Sequence, residues 1–258
     1  MARMLPRRLG HDEEASLVDH LTELRHRLFI CLGSIIPAFA LAYAFHDDLI
    51  DRLKDLLPAG TPLVTFGVTE PFITSLKVSF YAAIALVLPI LLWQIWAFLA
   101  PAVKEDTQRV LGAFVVLATA LFAAGLVFCY TIVLPRALTF LVDYDSDLYQ
   151  VQIRASYYLS FVALTMLAFG IAFQMPIFVL ALVRIGVLTS ARLRKNRRIG
   201  YVVMLVFAIL LPTVDPVSLV LEVAPLLVLY EMSIWLSVVM ERRWHTDWDE
   251  EFARAELP

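Results

Sequence analysis

Residues that do chemistry are scarce in this chain. It has two cysteines and five histidines in 258 residues, and no histidine lies within an apolar run. Cys31 and Cys129 are too few for a disulfide framework or a structural metal site. They read as small apolar packing residues near opposite ends of their spans. There is no glycine-rich phosphate loop, no metal-ligand pair at helical spacing and no serine elbow. The spans also offer no nucleophile–base pair for an intramembrane hydrolase. No catalytic residue, metal site or cofactor is therefore assigned. The chain shows no internal repeat and no glycine-broken helix pair, which argues against an inverted-repeat solute transporter built on Lys77, Gln174 and Glu222. Charged residues make up only 17% of the chain. Met1 to Glu23 is polar and lacks an apolar core, so no cleavable signal is expected and insertion falls to the first span.

What is abundant is apolar surface. Hydrophobic residues make up 60% of the chain and mean hydropathy is positive, which together define an integral membrane protein. Six spans are read, at about Phe29–Phe45, Phe72–Leu99, Val110–Leu134, Tyr157–Val183, Ile199–Leu211 and Ser218–Met240. The fold class is all-α and polytopic. Residues 1–258 form one transmembrane domain, with a polar region and leading helix at 1–28, a six-span bundle at 29–240 and a tail at 241–258. Under this plan sixteen arginines and lysines fall on one side and four on the other, with Lys77 inside the second span. The positive-inside rule then places both termini in the cytoplasm. The Arg194–Arg198 basic cluster serves as a topology anchor, so no nucleic acid is expected as a partner.

Span lengths are unequal. The second span, about 28 residues, measures roughly 42 Å against a hydrocarbon core of about 30 Å. It carries Pro89, and the similarly long fourth span carries Pro176; both are expected to tilt or bend. The fifth, about 13 residues or roughly 20 Å, is too short to cross unaided and implies local bilayer thinning. The sixth is expected to be divided by Pro225.

Few polar groups interrupt the apolar runs. Gln174, beside Pro176, suits either a local partner for the kink or a contact in a substrate groove. Glu222 and Glu231 are nine residues apart and point in opposed directions on a helix. Glu222 is either shielded by a partner helix or paired within the bundle. Lys77 is placed to snorkel to the outer interface.

The most informative stretch lies at the mouth of the first span. Ser16 and Asp19 give an N-capping signal, and Leu17, Leu21, Leu24 and Leu28 form an apolar stripe. Glu23 lies on another face, with Arg27 available as its i,i+4 partner. The segment His20-Leu-Thr-Glu23-Leu-Arg25-His-Arg27-Leu28 resembles the His-Leu-x-Glu-Leu-Arg-x-Arg signature of the TatC family, the multi-spanning subunit of twin-arginine protein translocases. Other segments agree in order: Thr69-Glu70-Pro71-Phe72, Trp93-Gln94-Ile95-Trp96-Ala97-Phe98-Leu99-Ala100-Pro101, Ser156–Phe161, Phe169–Pro176, and Pro225 with Leu229-Tyr230-Glu231. The resemblance extends from about Leu17 to Arg243.

The resemblance implies a cupped six-helix bundle that receives twin-arginine signal peptides. It also implies recruitment of single-span TatA/TatB-type proteins, self-association and contact with membrane lipids. Folded proteins would be exported across a bacterial cytoplasmic membrane, driven by the proton gradient and without a nucleotide. The signal-peptide site would use Glu23 and Arg25 with a carboxylate from the first cytoplasmic loop. The family's loop position counted from Pro101 is Thr107 here, so Glu105 or Asp106 takes that role, with Glu105 favoured for reach. Phe98, Pro89, Pro176 and Gln174 would shape the groove. Gln174 stands where the family usually has glutamate, which leaves a neutral hydrogen-bonding role. Thr213, Asp215, Glu222 and Glu231 would face partner helices, although Pro212 and Leu219 occupy positions that are often polar in the family.

Overall fold

A computed structural model describes residues 17–58, 61–99, 111–144, 152–184, 187–211 and 216–255. Its order begins with helix α1 (Leu17–Ala44), helix α2 (His46–Lys54) and the two-residue strand β1 (Leu63–Val64). Helix α3 (Glu70–Leu99) follows, then α4 (Leu111–Phe128), which passes through a π-helical turn at Cys129–Val133 into α5 (Leu134–Asp143). The chain continues with β2 (Ile153–Arg154), α6 (Ala155–Ala172), α7 (Met175–Arg184), α8 (Ser190–Lys195), α9 (Arg197–Ile209) and α10 (Pro216–Ala255).

Five stretches among the described residues are long and apolar enough to cross a membrane: 21–44, 70–98, 114–143, 155–184 and 216–241. Large apolar side chains are open to the surroundings all along them, with Ile36 73% and Trp235 68% exposed. A water-soluble surface would not carry that much contiguous apolar area; hydrocarbon is its natural solvent. The expected fifth span is α9, 13 residues long and thus roughly 20 Å, below the length of a full crossing.

Several boundaries differ from the sequence expectation. The first helix is as expected, running unbroken from Leu17 through the apolar run. The third continues to Asp143 by way of the π turn, which accommodates Pro135 near the start of α5. The fourth is interrupted at Phe173–Gln174, and Pro176 occupies the first turn of α7, a position where its missing N–H is harmless. Pro225 does not divide the last helix, which runs 40 residues without a break. In a medium without water, breaking the helix would strand more backbone groups than the proline does.

The chain forms two compact units. In the first (residues 1–55, 63–120 and 153–163), α1 packs along α3 and α2 packs beside α3. Helix α2 suits its own dipole, with Asp47 and Asp48 in the first turn and Arg52 and Lys54 in the last. The buried Tyr158 hydroxyl donates to the Leu53 carbonyl at 2.7 Å. Strands β1 and β2 pair in parallel, Leu63 with Ile153 and Val64 with Arg154. Cys31 is half-buried on α1, two residues into the apolar run that starts at Phe29. The stripe residues Leu21, Leu24 and Leu28 are exposed, so that face is left for lipid or another chain.

In the second unit (residues 56–62, 121–152 and 164–258), α10 packs against α7, α8 and α9. Its core joins Ala172, Met204, Ala208, Leu226, Leu229, Tyr230 and Ile234. Cys129 is fully buried, in keeping with a packing role. Thr189 caps α8 by accepting from the Arg192 N–H at 3.2 Å, and the Ser190 N–H donates to Glu241 at 3.0 Å. Gly200 lies against the Tyr230 ring: a Cβ there would stand 2.0 Å from Cζ. Tyr230 is buried and meets Tyr201 edge-on at 5.9 Å. Gly200→Ala should therefore destabilise by about 1–3 kcal/mol, the usual cost of overpacking. An unchanged thermal melt in detergent would show that the ring moves aside freely.

Candidate functional site: a carboxylate at the mouth of the first helix

The unbroken helix α1 places Glu23 one to two turns before the apolar run that starts at Phe29. Arg27, one turn further along, donates to Glu23 Oε1 through Nε at 3.1 Å and Nη2 at 2.5 Å. Its Nη1 donates to Gln94 Oε1 on α3 at 3.1 Å. The expected i,i+4 pair is present, and it is tied to a second helix. Since Arg27 lies early in α1 and Gln94 late in α3, the two helices run antiparallel here. The Arg27 side chain is 14% exposed and that of Glu23 is 33% exposed. Glu23 Oε2 accepts no hydrogen bond among the described residues. The site thus presents one half-open carboxylate with a fixed guanidinium at its side.

Arg25 does not join this group. Two residues from Glu23, it is turned about 200° around the helix, exposed, with its guanidinium 5.7 Å from the Phe29 ring centre. Phe98 follows Gln94 by one turn and so lies on the same side of α3; it is half-buried. Trp96 packs on Phe114 with ring centres 5.1 Å apart. Glu105 and Asp106 lie outside the described residues, as do Thr213 and Asp215.

At the other end of α3 is a cluster that the sequence reading quoted in pieces but did not assemble. The Glu70 side chain is 6% exposed. Its Oε1 accepts from Arg154 Nε at 2.8 Å, Ser156 Oγ at 2.6 Å and the Ser156 N–H at 3.4 Å. Its Oε2 accepts from the Phe66 N–H at 2.9 Å. The Glu70 carboxylate holds the Arg154 guanidinium above its ordinary range. Arg154 also lies over the Tyr157 and Phe66 rings, 5.0 and 5.8 Å from their centres. An acid at a helix start, beside Pro71, was the available signal. Its partners 84 and 86 residues away gave none.

The remaining expected residues are dispersed. Pro89 is half-buried inside an unbroken α3, and Lys77 is exposed on it. Gln174 sits in the turn between α6 and α7, its N–H donating to Ile171 O and its carbonyl accepting from Phe178 N, both at 2.9 Å. Pro176 is fully buried beside it. Glu222 is 1% exposed and has a partner within the protein, which favours pairing within the bundle over shielding by a partner helix. Glu231 accepts from the Tyr201 hydroxyl and pairs with Arg197 at 3.3 Å, joining α9 to α10.

These features define a multi-pass helical membrane protein with a charged cluster at the mouth of its first helix and no catalytic constellation among the described residues. The chain matches the family described as Sec-independent protein translocase protein (TatC) over residues 19–225. It belongs to the TatC family. The protein of that name from Magnetococcus marinus is 32% identical over 239 residues, 91% of this chain and 88% of that one. The one from Campylobacter jejuni is 35% identical over 83% of this chain and 90% of its own. The one from Escherichia coli K12 is 32% identical over 88% of this chain and 89% of its own. The crystal structure titled twin arginine translocase receptor TatC in DDM is similar with a TM-score of 0.79 and 33% identity, over 84% of this chain and 99% of that chain.

Proposed function

We propose that this chain is the multi-spanning receptor subunit of a twin-arginine translocase, binding Arg-Arg signal peptides at the cytoplasmic mouth of α1. As a TatC protein it is a transport component and not an enzyme. The observation that carries the reading is the Glu23 carboxylate, half-open and fixed where a membrane-spanning helix begins. A carboxylate oxygen there can accept a charge-assisted hydrogen bond from a guanidinium, which stays charged at any physiological pH. The second arginine of the pair needs a second acceptor, which Glu105 or Asp106 supplies in this reading, with Arg25 and Phe98 at its edge.

The wider reading has six spans with both termini cytoplasmic, supported by the sixteen-to-four distribution of basic residues. Helix α9 is the sixth crossing element, using a locally thinned bilayer. Its exposed apolar face, with Val202, Val206 and Ile209, suits single-span TatA/TatB-type partners near Glu231, Thr213 and Asp215. Glu222, being buried, would act there only through neighbouring side chains. Self-association, the bacterial cytoplasmic membrane and coupling to the proton gradient complete the proposal.

The test is photo-crosslinking in native membranes, with probes on α1 and in the loop around Glu105, to signal peptides carrying Arg-Arg or Lys-Lys. Crosslinking of the Arg-Arg peptide should fall by about tenfold or more in Glu23→Ala, the size of losing one charge-assisted pair. Equal crosslinking of both peptides, unmoved by Glu23→Ala, would remove the site from α1.

A further inference from the structure

We propose that Arg27 is a built-in competitor for the Glu23 carboxylate and that, braced by Gln94, it sets the preference for arginine over lysine in the incoming peptide. This rests on the receptor reading of Glu23 and goes beyond it by naming what creates the selectivity. A solvated i,i+4 ion pair on a helix surface is worth only a few tenths of a kcal/mol and needs no third partner. Here the guanidinium uses N–H groups on all three nitrogens, two nitrogens toward Glu23 Oε1 and the third toward Gln94 on another helix. At 14% exposure it cannot swing freely into water.

An arriving cation therefore meets an already neutralised carboxylate, with Oε2 open and a fixed positive charge beside it. An ammonium is a compact, strongly hydrated point charge. It would shed water, gain a bond at Oε2 and sit against a like charge. A guanidinium is planar and weakly hydrated, so it can reach Oε2 with one edge and lie flat beside the plane of Arg27. The repulsive element disfavours lysine more than arginine, and specificity arises from what the site rejects as well as what it accepts. A bare Glu23 would bind both cations more tightly and distinguish them less.

The experiment uses the full chain in nanodiscs and labelled signal peptides with Arg-Arg or Lys-Lys. Arg27→Gln should strengthen Lys-Lys binding by about tenfold, the scale of relieving a like-charge juxtaposition, and change Arg-Arg binding by much less. Gln94→Leu, which leaves Arg27 present but unbraced, should narrow the ratio in the same direction by a smaller factor. Parallel weakening of both peptides by Arg27→Gln, or a ratio unchanged in both variants, would overturn the proposal. Glu23→Gln separates the two levels. If it abolishes Arg-Arg binding while the Arg27 and Gln94 variants keep the wild-type ratio, the receptor site stands and the selectivity role of Arg27 falls. If it has no effect, the receptor reading itself falls.

Discussion

Gly125→Leu should leave almost no folded protein in the membrane fraction. A Cβ at Gly125 would lie 2.9 Å from the Phe169 carbonyl oxygen, 2.9 Å from the Phe173 ring and 3.0 Å from the Gly170 Cα. A Cβ at Gly170 would lie 2.4 Å from the Phe122 ring, which is itself buried. The two glycines let α4 and α6 approach backbone to backbone. In lipid, where apolar surface alone drives no association, such close packing is what holds helices together. Side-chain tips can yield to an added methyl group, but a main-chain carbonyl cannot without separating the helices. Gly125→Ala alone should cost about 1–3 kcal/mol as overpacking, and leucine considerably more. Gly33→Ala is the control, because nothing lies within 4 Å of its added Cβ. Fluorescence-detected gel filtration with a melting series gives the readout. A Gly125→Leu protein that elutes and melts like its parent would show that the crossing is looser than described.

Loss of the Glu70 carboxylate should be the second large effect. Glu70→Ala removes the acceptor shared by the Phe66 N–H, Arg154 and both donors of Ser156. It thereby releases three chain segments that meet at one end of α3. A buried acceptor removed from several donors costs more than the net worth of any one bond, because each donor is left unsatisfied. Glu70→Ala and Arg154→Ala should each lower the melting temperature. The double variant should be less unstable than the sum of the two, the signature of a direct pair. The exchange Glu70→Arg with Arg154→Glu should recover only part of the loss, since arginine cannot accept from Ser156 or Phe66. Strict additivity of the two alanine changes would mean that the ion pair carries no coupling of its own.

Much of this architecture could be read directly from the chain. Long apolar runs reveal membrane spans because every buried backbone group must be satisfied within its own helix. The short α9 and the Glu23–Arg27 spacing follow from counting residues. Prolines were harder. Pro176 marks a true interruption and Pro225 does not, a difference that depends on packing and leaves no local trace. The polar tethers were hardest. Arg27 reaches Gln94 across 67 positions and Arg154 reaches Glu70 across 84, so neither pairing has a periodicity to betray it. Gln94 was visible as a polar residue in an apolar run, yet only its meeting with Arg27 gives it a role.

Helix α10 is roughly 60 Å long at 40 residues, and Glu241 ties it to the amide of Ser190. About 38 Å of rod lies between that tie and Pro216. A tilt of about 5° around the tie would carry the far end through roughly 3 Å at this length. Because no break at Pro225 absorbs the rotation, a push on the helix within the bilayer arrives as leverage at Ser190, where α8 begins.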